Sequence, residues 1–370
     1  NSQNKPFSHT NITSASRTPF TMTTKSITTI VALAVASVLH ADHGPGTSGS
    51  GFATQTAETQ ARGKVAATLS HDWTEFGGLN SQLTPDTEHL DLIDRSNLTT
   101  FSISLGVIEN LQIGLNIGYY SARGTRRLPH SHGEAESRHD EAEHHEHPAE
   151  AHHHHEDSGH HDEEDGHAGE KAKFSEFDAD GWTDIWVTAK YRLYRGPAGQ
   201  FAVFGGVKLP TGETRFFDSA GERVEAASTP GSGAWDGMIG GSYTLQLRPE
   251  LALDASAQYT FRGEKSGYRL GNRFDAGVAA GWRVMGDDSS RTQLHLLGEI
   301  SVRHIERSES QGRSEAGTGG TAVFLSPGVR LRVGANASWT VGAQLPIHQD
   351  LNEVQVETSH RFSTSFNFAF

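Results

Sequence analysis

Twelve segments of this chain alternate apolar and polar residues with a period of two, which is the period of a β-strand and not of a helix. In residues 251–262, for example, every odd position is apolar, whereas the even positions include Asp254, Gln258 and Arg262. The pattern predicts strands at 62–76, 96–108, 111–122, 182–195, 200–212, 232–247, 250–262, 273–285, 291–305, 320–332, 337–348 and 355–370. A chain with this pattern folds into a sheet with one apolar and one polar face.

The connections between these segments alternate in length. Short turns are predicted at Asn110, Gly196–Gly199, Arg248-Pro249, Gly286–Ser290 and Val333–Asn336. Between them lie longer polar loops at 77–95, 123–181, 213–231, 263–272 and 306–319, with a shorter one near 349–354. An even number of strands with short turns on one side and long loops on the other is typical of outer-membrane barrels. A soluble sandwich or propeller also alternates, but nothing in it sorts loops by length. We therefore predict an all-β protein, a membrane-spanning antiparallel up-and-down β-barrel of about 12 strands with long extracellular loops.

Aromatic residues support a membrane location. Trp73, Trp182 and Trp235 lie at the long-loop ends of their segments, and Trp282 and Trp339 lie near the short turns, as two interfacial belts require. The final segment places Phe362, Phe366, Phe368 and Phe370 on one face, with Phe370 as the last residue. This ending resembles the assembly signal of bacterial outer-membrane proteins. It predicts two partners, the outer-membrane lipid and, through Phe370, the barrel assembly machinery.

The amino-terminal region predicts export. Residues 1–21 lack Met and any periodicity, and we interpret them as a non-native or mis-called extension. Residues 22–41 combine a basic start, an apolar run and a final small residue, which is typical of a cleavable signal peptide. Residues 42–61 are rich in Gly, Ser and Thr and are predicted to be a flexible leader. The barrel itself is assigned to 62–370, with a disordered loop rich in His, Asp and Glu at 124–181.

Charge and composition exclude several classes of protein. The chain has no Cys, which rules out disulfides, thiolate metal sites and cysteine nucleophiles. Of the net charge of −14, the segment 128–170 alone contributes −13, because it holds fourteen acidic residues and one Arg. A near-neutral body with an acidic insert does not fit a nucleic-acid-binding protein, which needs a basic face.

Histidines are concentrated in the same insert. Thirteen of the 22 fall there, namely His130, His132, His139, His144, His145, His147, His152, His153, His154, His155, His160, His161 and His167. Neutral imidazoles beside carboxylates are good ligands for Zn(II), Ni(II), Cu(II) or Co(II). Because the insert has almost no apolar residues to fix its geometry, we predict several weak metal sites and no cofactor that the fold requires. A solvated low-complexity loop that responds only to pH is the alternative.

Several motifs carry a family resemblance. They are GWTDIW at 181–186, VKLPTG at 207–212, GSGAWD at 231–236, LSPGVR at 325–330 and LPIHQDLN at 345–352. In order and spacing these segments resemble the transporter family named after the meta-pathway of phenol degradation, which is related to outer-membrane channels for hydrophobic compounds. The resemblance implies a barrel that passes small solutes. The first three strands match less well, and the His-rich insert is not part of the family pattern.

The polar faces of the strands predict the residues that line the lumen. Acidic and basic groups both occur there, which fits either a packed, narrow interior closed by ion pairs or a selective path for a small solute. No catalytic motif is present: there is no G-x-S-x-G and no P-loop, and His155 and His160 are spaced one residue too far apart for H-E-x-x-H. We expect no enzyme. The predicted lumen-lining residues are Asp184, Lys190, Arg192, Lys208, Asp236, Asp254, Arg262, Glu299, Arg303, Arg330, Arg332 and Arg361.

Three functions remain open from the sequence. The first is an outer-membrane channel linked to transition-metal handling, in which the insert captures metal ions. The second is a channel for small hydrophobic or aromatic compounds, with the insert incidental. The third is a surface metal-binding protein anchored by a closed barrel.

Overall fold

The computed structural model of the protein describes residues 52–81, 91–127 and 174–370. All of the regular structure in these residues is β-strand, as the alternation predicts. Among the described residues, no helix is long and apolar enough to cross a membrane. The strands are β1 Val65–Leu79, β2 Asp91–Ile108, β3 Leu111–Arg127, β4 Phe174–Trp182, β5 Ile185–Gly196, β6 Gly199–Leu209, β7 Asp236–Arg248, β8 Leu251–Phe261, β9 Glu264–Lys265, β10 Tyr268–Arg269, β11 Arg273–Met285, β12 Thr292–Ile305, β13 Glu309–Ser310, β14 Arg313–Ser314, β15 Gly320–Val333, β16 Ala337–Leu351 and β17 Val356–Ala369.

The long strands form a closed barrel. Each pairs antiparallel with its neighbours, and β1 pairs with both β2 and β17, which removes the free edges of the sheet. β4 and β5 both pair with β3, β4 along its outer part and β5 along its inner part, so they count as one position in the barrel. The barrel therefore has twelve strand positions, and the predicted fold class is confirmed. Closure lets the backbone groups of the wall pair between neighbouring strands all the way round, which a sheet needs in order to span lipid.

The two faces of the wall differ as the alternation predicts. On β2, Phe101, Ile103 and Leu105 point outward and are exposed, whereas Thr100, Ser102 and Ser104 between them are buried inside. The same alternation runs around the barrel, with exposed apolar side chains outside and polar groups inside. This inversion of the usual protein core fits a wall in contact with lipid.

Outward-facing tryptophans occur at both ends of the wall, as predicted. Trp182 and Trp235 lie at the long-loop ends of their strands, and Trp282 and Trp339 at the short-turn ends, and all four are well exposed. Trp73 lies on the outward face near the long-loop end of β1, where its ring stacks on Phe362 at 5.7 Å. Indole rings in these two layers are typical of membrane interfaces.

The short and long connections lie at opposite ends of the barrel, here called the inner end and the outer end. Two details differ from the prediction. β3 continues to Arg127 and β4 begins at Phe174, so the strands that flank the insert are longer than expected and pair with each other. At the outer end, β9, β10, β13 and β14 form a separate small sheet from two loop hairpins.

The carboxyl terminus closes the seam of the barrel. The backbone N–H of Phe370 donates to the carbonyl of Val65 at 2.8 Å, and the Phe370 ring is exposed on the outside. The role of Phe370 in assembly stays a prediction.

Candidate functional site

The barrel interior contains a segment of the chain itself, residues 52–61, here called the lumen segment. The carboxylate of Glu299 on β12 accepts three successive backbone N–H groups, from Phe52 at 2.7 Å, Ala53 at 3.0 Å and Thr54 at 3.0 Å. Glu299 itself is almost fully buried. A carboxylate that accepts several N–H groups forms charge-assisted hydrogen bonds, which are stronger than neutral ones. Glu299 therefore fixes the start of the lumen segment to the wall.

The middle of the lumen segment is held by other strands. The carbonyl of Thr56 accepts hydrogen bonds from Lys190 Nζ at 2.9 Å and from Ser242 Oγ at 3.1 Å. The N–H of Ala57 donates to Thr244 Oγ1 at 2.8 Å. Glu299 is on β12, and these groups are on β5 and β7, so the segment crosses the interior between distant parts of the wall.

The ring of Phe52 fits against two glycines. A Cβ atom at Gly328 on β15 would lie 2.2 Å from the Phe52 ring, and a Cβ at Gly342 on β16 would lie 2.1 Å from it. Side chains at these positions would displace the ring, so the two glycines form its seat on the wall.

The prediction of a flexible leader over 42–61 is therefore wrong for residues 52–61. The polar side chains and backbone groups of this segment find hydrogen-bond partners in a polar barrel interior, which a free leader would lack. Residues 42–51, the signal peptide at 22–41 and the extension at 1–21 lie outside the described residues.

Three of the sequence motifs converge on one buried ion-pair network near the outer end. Lys208 Nζ lies 2.9 Å from Asp184 Oδ2 and 2.7 Å from Asp236 Oδ2, and Arg262 Nη1 lies 2.7 Å from Asp236 Oδ2. All four side chains are at least largely buried. Such a network needs every member, because removing one charge leaves its partners buried and unpaired.

The same network anchors the long loop between β6 and β7. Asp184 accepts backbone N–H groups from Gly212 at 2.8 Å and Ser232 at 3.0 Å, which are the two ends of that loop. A Cβ atom at Gly212 would lie 2.9 Å from the Cα of Gly231, so the two ends also touch through backbone atoms. The motifs GWTDIW, VKLPTG and GSGAWD thus share a structural role: they close the base of one loop.

This loop turns inward and meets an apolar patch inside the outer end. A hairpin over residues 216–224 is tied to the wall by Ser175 Oγ, which donates to Asp218 Oδ2 at 2.6 Å, and by Arg126 Nη1, which donates to the carbonyl of Arg223 at 2.7 Å. Between them lies the vestibule cluster, an apolar group on the inner face of β2, β3 and β4 together with the hairpin. Its members are Ile93, Leu98, Tyr120, Ala122, Phe177 and Val224, with Phe76 and Phe216 packed against them.

The vestibule cluster departs from the alternation rule. Inward positions elsewhere carry mainly Ser, Thr, Gln and charged groups, whereas these inward side chains are apolar and aromatic. The six core members are at most 6% exposed, so the accessible apolar surface of the cluster is that of Phe76 and Phe216, which are only partly buried. The sequence does not reveal this cluster, because an apolar residue on the inner face looks like a break in the strand pattern.

A second interior ion-pair group lies on β11 and β12. Asp275 accepts hydrogen bonds from Arg273 Nε at 2.7 Å and from Arg303 Nε at 2.6 Å. Beside it is a cavity of about 20 Å³ lined by Asp275, Arg303, Gln344 and Ala53 among others, which holds roughly one water molecule. Ala53 at the start of the lumen segment therefore forms part of the lining of this small cavity.

The predicted lumen-lining residues lie on the inner face of the wall. Arg192, Arg262 and Arg303 are partly buried, and Arg332 is exposed at the inner end. Those that are buried are Asp184, Lys190, Lys208, Asp236, Asp254, Glu299, Arg330 and Arg361. The structure brings Asp184, Lys208, Asp236 and Arg262 together in one network, and Asp254 meets the lumen segment through Thr244 Oγ1 at 2.5 Å.

The thirteen histidines predicted to bind metal lie outside the described residues, within 128–173. In the part of the chain that the structure describes, no group of three or more His, Asp and Glu side chains is arranged to hold a metal ion.

The outer loops contain one buried acid with an altered pKa. Burial raises the pKa of Glu315, between β14 and β15, to about 7, although a hydrogen bond from Ser310 opposes the shift. A carboxyl whose pKa rises on folding stabilises the folded state fully below its unfolded value, here about 4.5, and this contribution is lost as the pH rises through about 7.

We therefore expect the small outer sheet to become less protected from proteolysis or hydrogen exchange between pH 5 and pH 8. Glu315→Gln should remove most of this pH dependence, because the amide stays neutral. Glu309→Gln in the same sheet is the control, since Glu309 is partly exposed and paired with Arg269 at 2.6 Å. Equal pH profiles for the wild type and Glu315→Gln would contradict the assignment.

Comparison with known proteins agrees with the fold. The model of the family described as "Putative MetA-pathway of phenol degradation" matches residues 158–350. No curated protein sequence matches the chain. Among solved structures, the COG4313 outer membrane channel from Pseudomonas putida F1 is 11% identical, with a TM-score of 0.55, over 85% of this chain and 98% of that one.

Two autotransporter barrels are also similar. The β domain of Bordetella BrkA is 11% identical with a TM-score of 0.41, covering 84% of this chain and 100% of that one. The transport unit of AIDA-I from Escherichia coli is 12% identical with a TM-score of 0.39, covering 85% and 93%.

Proposed function

The chain belongs to the MetA-pathway of phenol degradation family, whose model matches more than half of its length, and from this premise we propose that it is a channel for small apolar compounds in a bacterial outer membrane. The observation that carries the proposal is the vestibule cluster. Its partly buried aromatic members, Phe76 and Phe216, offer an apolar solute a first binding surface at the outer end, and a purely ionic interior would not. The lumen segment narrows the interior below this surface.

The proposal predicts that entry of an apolar probe depends on the hairpin side chain that packs on the vestibule cluster. In cells whose outer membrane excludes 1-N-phenylnaphthylamine, expression of the protein should speed the rise in fluorescence of this probe. Phe216→Ser should slow entry several-fold, because it replaces part of the apolar surface by a hydroxyl. Phe217→Ser is the matched control, since Phe217 is the next residue of the same hairpin but is 61% exposed.

Permeation of a polar solute separates this function from that of a general pore. Hydrolysis of the hydrophilic substrate nitrocefin by a periplasmic β-lactamase should change little between the two variants. If Phe216→Ser and Phe217→Ser admit the apolar probe equally, the vestibule cluster is not the entry surface.

Metal capture by the insert is a second function, favoured by the thirteen histidines and fourteen acidic residues in 128–170. In this proposal the insert concentrates Zn(II), Ni(II), Cu(II) or Co(II) at the outer surface in several weak sites. Metal capture by the insert can occur together with solute passage through the barrel, and the two functions can be tested separately. An anchored metal-binding protein would have the insert but no solute passage, so the probe-entry assay also tests that alternative.

Deleting residues 128–170 should abolish most binding of these metals and leave the barrel folded. β3 and β4 pair with each other before the insert begins, and loop length costs little in closure entropy. In the wild type, metal should be released as the pH falls through about 6.5, where imidazole takes up a proton. Calorimetric titration of both proteins at pH 7.5 and 5.5 measures this. Equal uptake by the two proteins, or uptake that is indifferent to pH, would remove the insert from metal handling.

A further inference from the structure

The hairpin at residues 216–224 is held together by its own hydrogen bonds. The N–H of Val224 donates to the carbonyl of Phe216 at 2.9 Å. At the tip, the N–H of Asp218 donates to the carbonyl of Glu222 at 2.9 Å, and Asp218 Oδ1 accepts the N–H of Glu222 at 2.8 Å. Because these bonds do not involve the wall, the hairpin can keep its shape when its position changes.

The hairpin is tied to the wall at the outer ends of β3 and β4. The N–H of Ser219 donates to the carbonyl of Glu176 at 2.8 Å, and Ser219 Oγ accepts the N–H of Glu176 at 3.1 Å. The hydrogen bonds that Ser175 and Arg126 donate to the hairpin lie beside them. Each of these four bonds can be exchanged for a bond to water, so its net contribution to holding the hairpin is modest.

The base of the same loop is fixed more firmly than the hairpin. Asp184, a member of the buried ion-pair network, accepts the N–H groups of Gly212 and Ser232 there. Residues 213–215 and 225–230, which connect this base to the hairpin, belong to no strand. Hinges are commonly a few irregular residues between two ordered units. The loop therefore has the parts of a hinged lid.

The hairpin covers the vestibule cluster. Val224 packs directly on the cluster and is 2% exposed, and Phe216 packs against its edge. The five cluster members that belong to the wall are at most 6% exposed. With the hairpin in this position, an apolar solute can reach Phe216 and Phe76 but not the wall residues beneath them. Access to the rest of the cluster requires the hairpin to move.

We propose that the hairpin at 216–224 is a lid, which opens when an apolar solute takes the place of Val224 on the vestibule cluster. The inference rests on the proposed function and adds its regulation. Opening in water alone is unfavourable because it exposes apolar side chains. An apolar solute covers the same surface and so stabilises the open position, whereas a polar solute does not. The lid would thus open selectively for apolar solutes.

The chain has no Cys, so one introduced thiol can report on the opening. Ala122→Cys places a thiol in the vestibule cluster, at a position that is 5% exposed. N-ethylmaleimide should modify it about fivefold faster when Ser175→Ala is added, because that change removes the hydrogen bond to Asp218 and favours the open lid. Ala279→Cys is the matched control, since Ala279 is 4% exposed on β11. Its modification should not respond to Ser175→Ala.

A disulfide tests whether passage requires the opening. Ser175→Cys with Asp218→Cys joins the hairpin to β4 at two side chains that meet at 2.6 Å. After oxidation, entry of 1-N-phenylnaphthylamine should be several-fold slower than after reduction of the same variant. Phe217→Cys with Arg223→Cys is the control, because this pair lies within the hairpin and its disulfide leaves the hairpin free of the wall. Loss of maleimide-reactive thiols shows that each disulfide has formed.

The two experiments separate the lid from the channel. If the wild type does not speed probe entry but modification at Ala122→Cys responds to Ser175→Ala, the channel is contradicted and the lid stands. If the probe enters normally and neither the lost hydrogen bond nor the disulfide to β4 has an effect, the lid is overturned and the channel stands. Equal slowing by both disulfides would also overturn the lid, because it would indicate a general effect of oxidation.

Discussion

Deleting residues 52–61 is expected to raise the single-channel conductance of the barrel several-fold. The lumen segment crosses the interior and is bound to at least three strands through Glu299, Lys190 and Thr244. Its removal opens that cross-section to water and ions, while the wall is still held by its own closed ladder. Conductance in planar lipid bilayers, measured at one salt concentration for both proteins, gives the comparison.

Glu299→Gln should give an intermediate result, with frequent transitions between low and high conductance. The amide lacks the negative charge that binds the N–H groups of Phe52, Ala53 and Thr54, so the start of the lumen segment is held less tightly. Glu250→Gln, at the short turn between β7 and β8, makes the same change in charge away from the segment and should behave like the wild type. If the deletion leaves the conductance unchanged, the lumen segment is not the element that restricts flow.

Lys208→Ala is expected to lower the free energy of unfolding by about 3 kcal/mol or more. The substitution removes the cation between Asp184 and Asp236, both of which are buried, and a buried charge that loses its partner is costly. Asp236 keeps Arg262, whereas Asp184 keeps only its hydrogen-bond donors. A folded barrel and an unfolded chain migrate differently on a denaturing gel. The temperature at which the band of the folded barrel is replaced by the band of the boiled protein measures the loss of stability.

The control for this prediction is Lys265→Ala, which removes an exposed lysine from the small outer sheet. It should shift the conversion temperature little, because exposed charges contribute little to stability. Since Asp184 also holds Gly212 and Ser232, Lys208→Ala should additionally expose the loop at 210–235 to proteases. A conversion temperature like that of the control would mean that the network is not important for stability.

The architecture could be predicted from the sequence because a lipid-facing wall imposes a strict local rule. Residues that face the lipid are mainly apolar, and the connections at one end of the barrel are short. Both constraints repeat along the chain. The strands predicted at 250–262 and 291–305 therefore agree with β8 and β12 to within one residue at each end. The three convergent motifs also had a detectable signal, in Asp184, Lys208 and Asp236.

The contacts inside the barrel could not be predicted from the sequence in the same way. The partner of Thr54 is Glu299, 245 residues away, and nothing local in the polar segment 52–61 distinguishes a docked segment from a free leader. The vestibule cluster depends on a loop hairpin that folds inward, so its apolar residues have no fixed period. One sequence feature could have indicated an interior contact. Gly328 and Gly342 lie on neighbouring strands, and two such glycines indicate that a ring or a backbone packs against them.

The β3–β4 hairpin has a practical consequence for engineering. Residues 119–127 pair with 174–182 in nine consecutive register pairs, and the strand position then continues through β5 along the inner part of β3. This hairpin holds together the two points where the insert leaves and rejoins the wall, whatever sequence stands between them. The natural insert can thus be replaced by another sequence. The barrel is then a scaffold on which a peptide epitope or a chosen metal-binding sequence can be displayed at the cell surface.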